Sequence, residues 1–441
     1  KGGRVLHMLR FVMGDDAYWK AIRRYAEVNQ FRTVETANLR IAIEDSTGQG
    51  LNWFFDQWAY HGGHPEFKMR WKWDAATKSV VLTIQQTQKV DDLTPLFQMP
   101  VDIELATGTN SELKRIQLSK AEETFHFAMN APPSRVCFDP QDWLLKKIVC
   151  EKSKEEWLDQ LANSRHVMSR AEAIEGLKEF KEHDDVVLAL QTAARKDPFW
   201  GVRQEAVKVL AGLNKDAVRG TLIEAAQQDE KSFVRREALT ALGNFAHDET
   251  KKALRASISS DRSYYAIADA VRALVKIDKA NCNADLLALL NTASHQEVIL
   301  RAACDGLVDL KSAPAIEPLS AKLAGKLRPE ERVVVLSALA RLKAGDAATL
   351  ALLKSELDND RNFVRKTAIE TLASLGGPET IGWLQEKRNR EEQPAMVRAI
   401  DEALEKLRAA QKALSEVQKE VETLRKQNQT LEERLKKLEA K

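Results

Sequence analysis

The chain has 441 residues, with 67 basic and 65 acidic side chains and a net charge of +2. So balanced a charge leaves no electrostatic footprint for nucleic acid or for an acidic membrane surface. The length suggests about three domains, and no apolar run long enough for a membrane-spanning helix occurs.

The front of the chain has helical spacing. Lys1-Gly2-Gly3 opens an amphipathic helix carrying Val5, Leu6, Leu9, Val12 and Met13. Gly14 ends it, and Asp15 is expected to cap a second helix with Tyr18, Trp19, Ile22 and Tyr25 on one side. Thr36 is expected to cap a third, running through Leu39, Ile43 and Ser46 to Gly48. A fourth spans Leu51 to Tyr60 and breaks at Gly62-Gly63-His64-Pro65. His61 and His64, near Glu66, are neighbours in sequence. A metal site would need a third ligand and a rigid frame, so a loop closing the helix is the plainer reading. His7 reads as a packed helix residue.

These residues carry a resemblance. Lys-Gly is followed by Val-Leu-His-Met-Leu-Arg and Gly-Asp-Asp-Ala-Tyr-Trp. Then come Ser46-Thr47-Gly48, Trp53-Phe54-Phe55-Asp56-Gln57-Trp58 and Gly63-His64-Pro65. The stretch resembles the end of the catalytic domain in the aminopeptidase N family of zinc metallopeptidases, the gluzincins. In that family two histidines of an HExxH helix and a glutamate on the next helix hold zinc, and the HExxH glutamate is the general base. A tyrosine just before the Lys-Gly pair stabilises the oxyanion, and a Gly-x-Met-x-Asn type strand holds the substrate's amino terminus. Zinc lowers the pKa of its water while carboxylate and phenol handle the charges. No HExxH occurs among the eight histidines, so no catalytic or metal-binding residue is carried over. The resemblance therefore implies zinc bound upstream of this chain, which is expected to be a fragment hydrolysing nothing by itself.

From Glu66 the period changes to two. Phe67, Met69, Trp71 and Trp73 alternate with Lys68, Arg70 and Lys72, so the bases face solvent over a tryptophan-filled core. Val80–Ile84, Gln98–Ala106, Lys114–Leu118, Thr124–Met129 and Arg135–Phe138 read as further strands. About seven strands are expected, enough for a small β-sandwich, and the resemblance implies such a domain here. Cys137, Cys150, Cys282 and Cys304 form no CxxC pair. They read as buried thiols, with a Cys137–Cys150 disulfide as the alternative. The thiols lean towards a cytoplasmic setting over export and fix no compartment.

A polar linker, Glu151-Lys152-Ser153-Lys154, leads into a ladder of leucines. Leu177, Leu210, Leu242, Leu274, Leu307, Leu339, Leu372 and Leu404 follow at steps of 32 or 33 residues. Val-Arg pairs precede several rungs (Val202-Arg203, Val234-Arg235, Val364-Arg365), and an acidic turn precedes those (Asp197, Asp229, Asp261, Asp358). A fixed period in the thirties marks stacked helical hairpins, since one hairpin cannot bury its own apolar face. The pattern resembles HEAT repeats of the short PBS-lyase-like variety. The resemblance implies that the Asp and Arg positions join neighbouring repeats, so Arg203, Arg235 and Arg365 read as structural.

The last stretch is a heptad. Leu407, Leu414, Val421, Asn428 and Leu435 form one row. Ala410, Val417, Leu424, Leu431 and Leu438 form the other. Nine of these ten seam positions are apolar, and Asn428 at an a-type position favours a parallel two-stranded register. The expected oligomerisation residues are Leu414, Val417, Val421, Leu424, Asn428, Leu431, Leu435 and Leu438; a lone helix folded back on the repeats is the alternative.

The expected architecture is mainly α. Residues 1–65 are the last helices of a peptidase catalytic domain, 66–150 a β-sandwich, 155–404 an α-solenoid of about eight HEAT-like repeats, and 405–441 a coiled coil. The expected function is that of the C-terminal part of a zinc aminopeptidase acting on peptides, with the repeats as scaffold or gate. A non-catalytic scaffold derived from an aminopeptidase, binding protein partners through the repeats, is the alternative. Eukaryotic transcription-factor subunits with that resemblance are known. Which zinc motif lies upstream separates the two.

Overall fold

The computed structural model describes residues 1–213, 215–375 and 377–439, with side chains described except at Pro378, Leu414 and 430–439. It is mainly α: helices, a small sheet region, then helical repeats. Two compact units divide the chain, Lys1–Thr221 and Leu222–Lys441.

The first unit opens with α1 (Gly2–Met13), α2 (Asp15–Asn29), α3 (Thr36–Thr47) and the short α4 (Asn52–Phe55), which continues as a π-helical turn over Asp56–Tyr60. The caps differ from expectation by one residue. Asp15 lies inside α2, because the Arg10 guanidinium holds its carboxylate at 2.6 and 2.8 Å. Thr36 likewise lies inside α3, because Glu35 and Asn38 form a reciprocal capping box. Gly48, at φ 71°, closes α3 in the left-handed region.

Seven strands follow among the described residues: β1 (Glu66–Asp74), β2 (Ser79–Gln86), β3 (Met99–Thr107), β4 (Asn110–Leu118), β5 (Glu122–Ala128), β6 (Arg135–Phe138) and β7 (Lys147–Cys150). They form two sheets, ordered β5-β2-β1-β7 and β4-β3-β6. All pairs are antiparallel except β1 with β7. Trp71 and Trp73 are only half-buried; Phe67 and Met69 fill the centre of that face. Trp71 sits at the rim, where its indole N–H donates to Glu156 at 2.8 Å. The helices α1–α4 do not have a core of their own. Met8, Leu9, Ile43, Phe54 and Trp58 share one apolar cluster with Phe67, Leu82, Phe97, Ile103 and Leu144.

The helical hairpins of the first unit are α5 (Lys154–Asn163) with α6 (Val167–Leu177) and α7 (Asp184–Lys196) with α8 (Trp200–Ala211). Ser153 and Glu156 make a capping box that starts α5. Gly176 lets α6 approach α5, since a Cβ there would lie 2.3 Å from the Trp157 ring. Helix α9 (Asp216–Gln228) runs across the division between units.

The second unit continues with α10 (Ser232–Leu242), α11 (Asp248–Ser260), α12 (Tyr264–Ile277), α13 (Asn283–Ala288), α14 (Val298–Asp309), α15 (Ile316–Ala324), α16 (Pro329–Leu342), α17 (Ala347–Ser355), α18 (Asn362–Leu375), α19 (Pro378–Arg390) and α20 (Pro394–Glu439). The eight ladder leucines lie one each in α6, α8, α10, α12, α14, α16, α18 and α20, and every one is buried. Within each unit, burial takes these leucine side chains out of water, as stacked hairpins require.

Candidate functional site

The front helices hold no assembled catalytic group. Half-buried His7 stacks on Trp143 with ring centroids 4.4 Å apart. Burial, then the charges of Arg4 and Arg10, push its imidazole towards the neutral form. His61 places Nδ1 2.7 Å from the Asp56 carbonyl oxygen, closing the π-helical turn. His64 Nε2 is 3.9 Å from Glu66, whose carboxylate accepts from Lys147 at 2.8 Å. The two histidines therefore serve different partners. Among the described residues no three His, Cys, Asp or Glu side chains form a group that could hold a metal. A zinc ion therefore finds no fitting donor set among the described residues.

The cysteines are all free thiols, and Cys137 and Cys150 are not bonded to each other. Cys137 of β6 is buried against the first hairpin, 3.3 Å from Gln160 and 3.7 Å from Ser169. Burial pushes its thiol up to about 11, which leaves it protonated and a poor nucleophile. Cys304 is pushed up to about 12 by the same cause.

The repeating polar element of the array is an arginine seven residues before a rung. Arg235 donates through Nε and Nη2 to Asp261 at 2.8 and 2.7 Å, while Nη1 reaches the Asp229 carbonyl at 2.9 Å. Arg203 and Arg365 make the same bond to the carbonyl six residues upstream, to Asp197 at 2.9 Å and to Asn359 at 2.8 Å. Each such arginine ties its own turn, and Arg235 also grips the acid of the next one. Arg170 does the same for the first hairpin, with a forked pair to Asp197 at 2.6 and 2.9 Å. At the other end Arg365 lies 3.6 Å from Glu391. Arg170 and Glu391 join this set beyond the Val-Arg and Asp pattern of the sequence. Arg170 stands seven residues before Leu177, the spacing of Arg235 from Leu242, so the signal was present. Glu391 was hidden because glutamate replaces the expected aspartate. Arg301, one position later, instead lies over the Phe363 ring at 5.0 Å.

The C-terminal stripe is the remaining candidate. Helix α20 is continuous for 46 residues. Its first turns are gripped by the last hairpin, where Ile400, Leu404 and Leu407 join the cluster of Leu372 and Leu384. Leu407, expected as the first seam residue, therefore belongs to the core of the repeats. From Arg408 to Gln429 every described side chain is exposed. Val417, Val421 and Leu424 are 55%, 42% and 53% exposed although apolar. Asn428 is exposed on the same row. The side chains of Leu414, Leu431, Leu435 and Leu438 lie outside the described ones.

Residues 1–58 match the model of the peptidase family M1 domain, and residues 187–275 match that of HEAT repeats. The chain joins an M1-like aminopeptidase region to HEAT-like repeats. Aminopeptidase N of Lactococcus lactis subsp. lactis is 22% identical over 226 residues, covering 49% of this chain and 25% of the relative. Transcription initiation factor TFIID subunit 2 of Drosophila melanogaster is 24% identical over 198 residues, 38% of this chain and 16% of that protein. Puromycin-sensitive aminopeptidase of Caenorhabditis elegans is 22% identical over 137 residues, 30% of this chain and 14% of that protein. The chain thus spans a quarter or less of these curated relatives. The crystal structure of Legionella pneumophila aminopeptidase A in complex with aspartic acid has the same fold, with a TM-score of 0.56 and 12% identity over 92% of this chain and 56% of that one.

Proposed function

We propose that the chain is the C-terminal part of a zinc-dependent aminopeptidase that removes N-terminal residues from peptides. The metal-binding and catalytic residues then lie in sequence preceding Lys1. The match of residues 1–58 to the peptidase M1 domain carries this reading. The HEAT-like repeats act as a scaffold or gate beside the catalytic domain and offer a surface for a protein partner. We also infer that copies of the chain associate through the exposed stripe of α20, and that the four free thiols work in a reducing, cytoplasmic compartment. Among the described residues no helix is long and apolar enough to cross a membrane.

The similarity to TFIID subunit 2 favours a second reading, a non-catalytic scaffold that keeps the aminopeptidase frame for binding partners. Sequencing the gene upstream of Lys1 separates the two. An HExxH motif with a glutamate one helix later is the expected result. A degraded motif would remove the enzyme reading and leave the scaffold.

A further inference from the structure

The stripe of α20 changes partner part-way along one continuous helix. Up to Leu407 it packs on α18 and α19. Beyond Leu407 the same heptad phase continues with Val417, Val421 and Leu424, which are 55%, 42% and 53% exposed among the described residues. The tail from Ala410 to Gln429, exposed in its described side chains, extends about 30 Å at the rise of an α-helix. An apolar row of that length on a helix standing clear of its own repeats is matched in shape by one surface above all, an identical row.

Resting on the self-association proposed above, we propose its geometry. A second copy of this chain pairs in parallel and in register, starting after Leu407, with the two Asn428 amides facing each other. Three observations choose this occupant and direction. First, parallel in-register pairing sets Glu420 at g against Arg425 of the second copy at e, and both side chains are exposed. Second, it places Asn428 opposite Asn428, where each amide can donate and accept. Antiparallel pairing would set that amide against an apolar d-row side chain and leave it unsatisfied. Third, Leu407 is only 2% exposed, so the last hairpin already occupies the row there and ends the seam on that side. The seam therefore begins where the last hairpin's core ends, and parallel pairing brings the last hairpins of the two copies to the same end of the coil.

The test uses the 441-residue chain. Sedimentation equilibrium is expected to show a dimer, and Leu424→Asp to raise its dissociation constant by roughly 100-fold or more. The repeats' thermal transition should stay unchanged in that variant, because Leu424 touches none of them. Val421→Cys and Asn428→Cys are each expected to give disulfide-linked dimers on mild oxidation, while Lys419→Cys on the outer face gives none. Antiparallel helices meet their own equivalent residue at one level only. A dimer cross-linking at one of the two positions, or at neither, would overturn the parallel geometry and leave self-association standing. A monomer at ~100 μM would overturn both and point to a helix from another protein as the occupant.

Discussion

Arg135 of β6 donates through Nη1 to Asp159 of α5 at 2.6 Å, and this contact ties the sandwich to the first helical hairpin. The guanidinium is fully buried and also reaches the Gly108 carbonyl at 2.8 Å. Ser134 adds a bond to the same carboxylate at 2.8 Å. Glu104 lies 3.6 Å away on the other side, with no hydrogen bond to either of its oxygens. A buried charge that loses its partner is costly, so Asp159→Ala is expected to lower unfolding stability by about 3 kcal/mol. Glu104→Gln should cost far less, since its carboxylate makes only the longer contact. Urea unfolding of both variants checks the order; equal losses would mean that Asp159 does not anchor the pair.

Arg235, like Arg170, works through its fork. Arg235→Lys keeps the charge but cannot hold Asp261 through two nitrogens and the Asp229 carbonyl through a third. The expected loss is about 1–2 kcal/mol, read from the shift of the urea midpoint. An unchanged midpoint would reduce these contacts to solvated surface pairs.

Two leucines on one helix separate core from surface. Leu190 is buried in α7 and Leu188, two positions earlier, is 63% exposed. Leu190→Ala should cost about 3 kcal/mol, and Leu188→Ala should stay within about 0.5 kcal/mol. Calorimetry on the pair tests the facing of the hairpin. A large loss at Leu188 would place that side chain in a contact, within the chain or between chains.

Asp278 gives the array an acid-sensitive joint. Burial works against its charge, but hydrogen bonds from Asn281 at 2.9 Å and Arg255 at 2.8 Å, with the charge of Lys251, hold its carboxyl below the usual carboxylate range. A carboxyl whose folded pKa is depressed stabilises fully above its unfolded value near ~4 and loses that contribution as pH falls through the folded value. Asp278→Asn should therefore destabilise at pH 7 and differ less from the parent at pH 3. Equal differences at both pH values would contradict the joint.

The sequence showed the array because its signal is redundant. Eight leucines at one period survive the loss of any single match, and all eight are buried. Strand β1 was legible from alternation, and the others up to Phe138 from short apolar runs between turn residues. Strand β7 was not: it is four residues long, half-exposed, and finds its place only by pairing in parallel with β1. Nor could periodicity show that Met8 and Phe54 share a core with Phe97 and Leu144, since that needs segments far apart to meet. Leu407 illustrates the limit most sharply. Its heptad phase suits a second chain and the last hairpin equally, and only the folded neighbours decide. Of the chemistry, the sequence carried a resemblance and no ligands, and the structure adds no metal-ligand group among the described residues.

The most direct test of the central claim is hydrolysis of an aminoacyl-anilide by two proteins, with and without zinc. One is this 441-residue chain; the other is the same chain extended by the sequence that precedes Lys1. The expected result is zinc-dependent turnover by the extended protein and none by the shorter one. Turnover by the 441-residue chain, or none by either at saturating zinc, would contradict it.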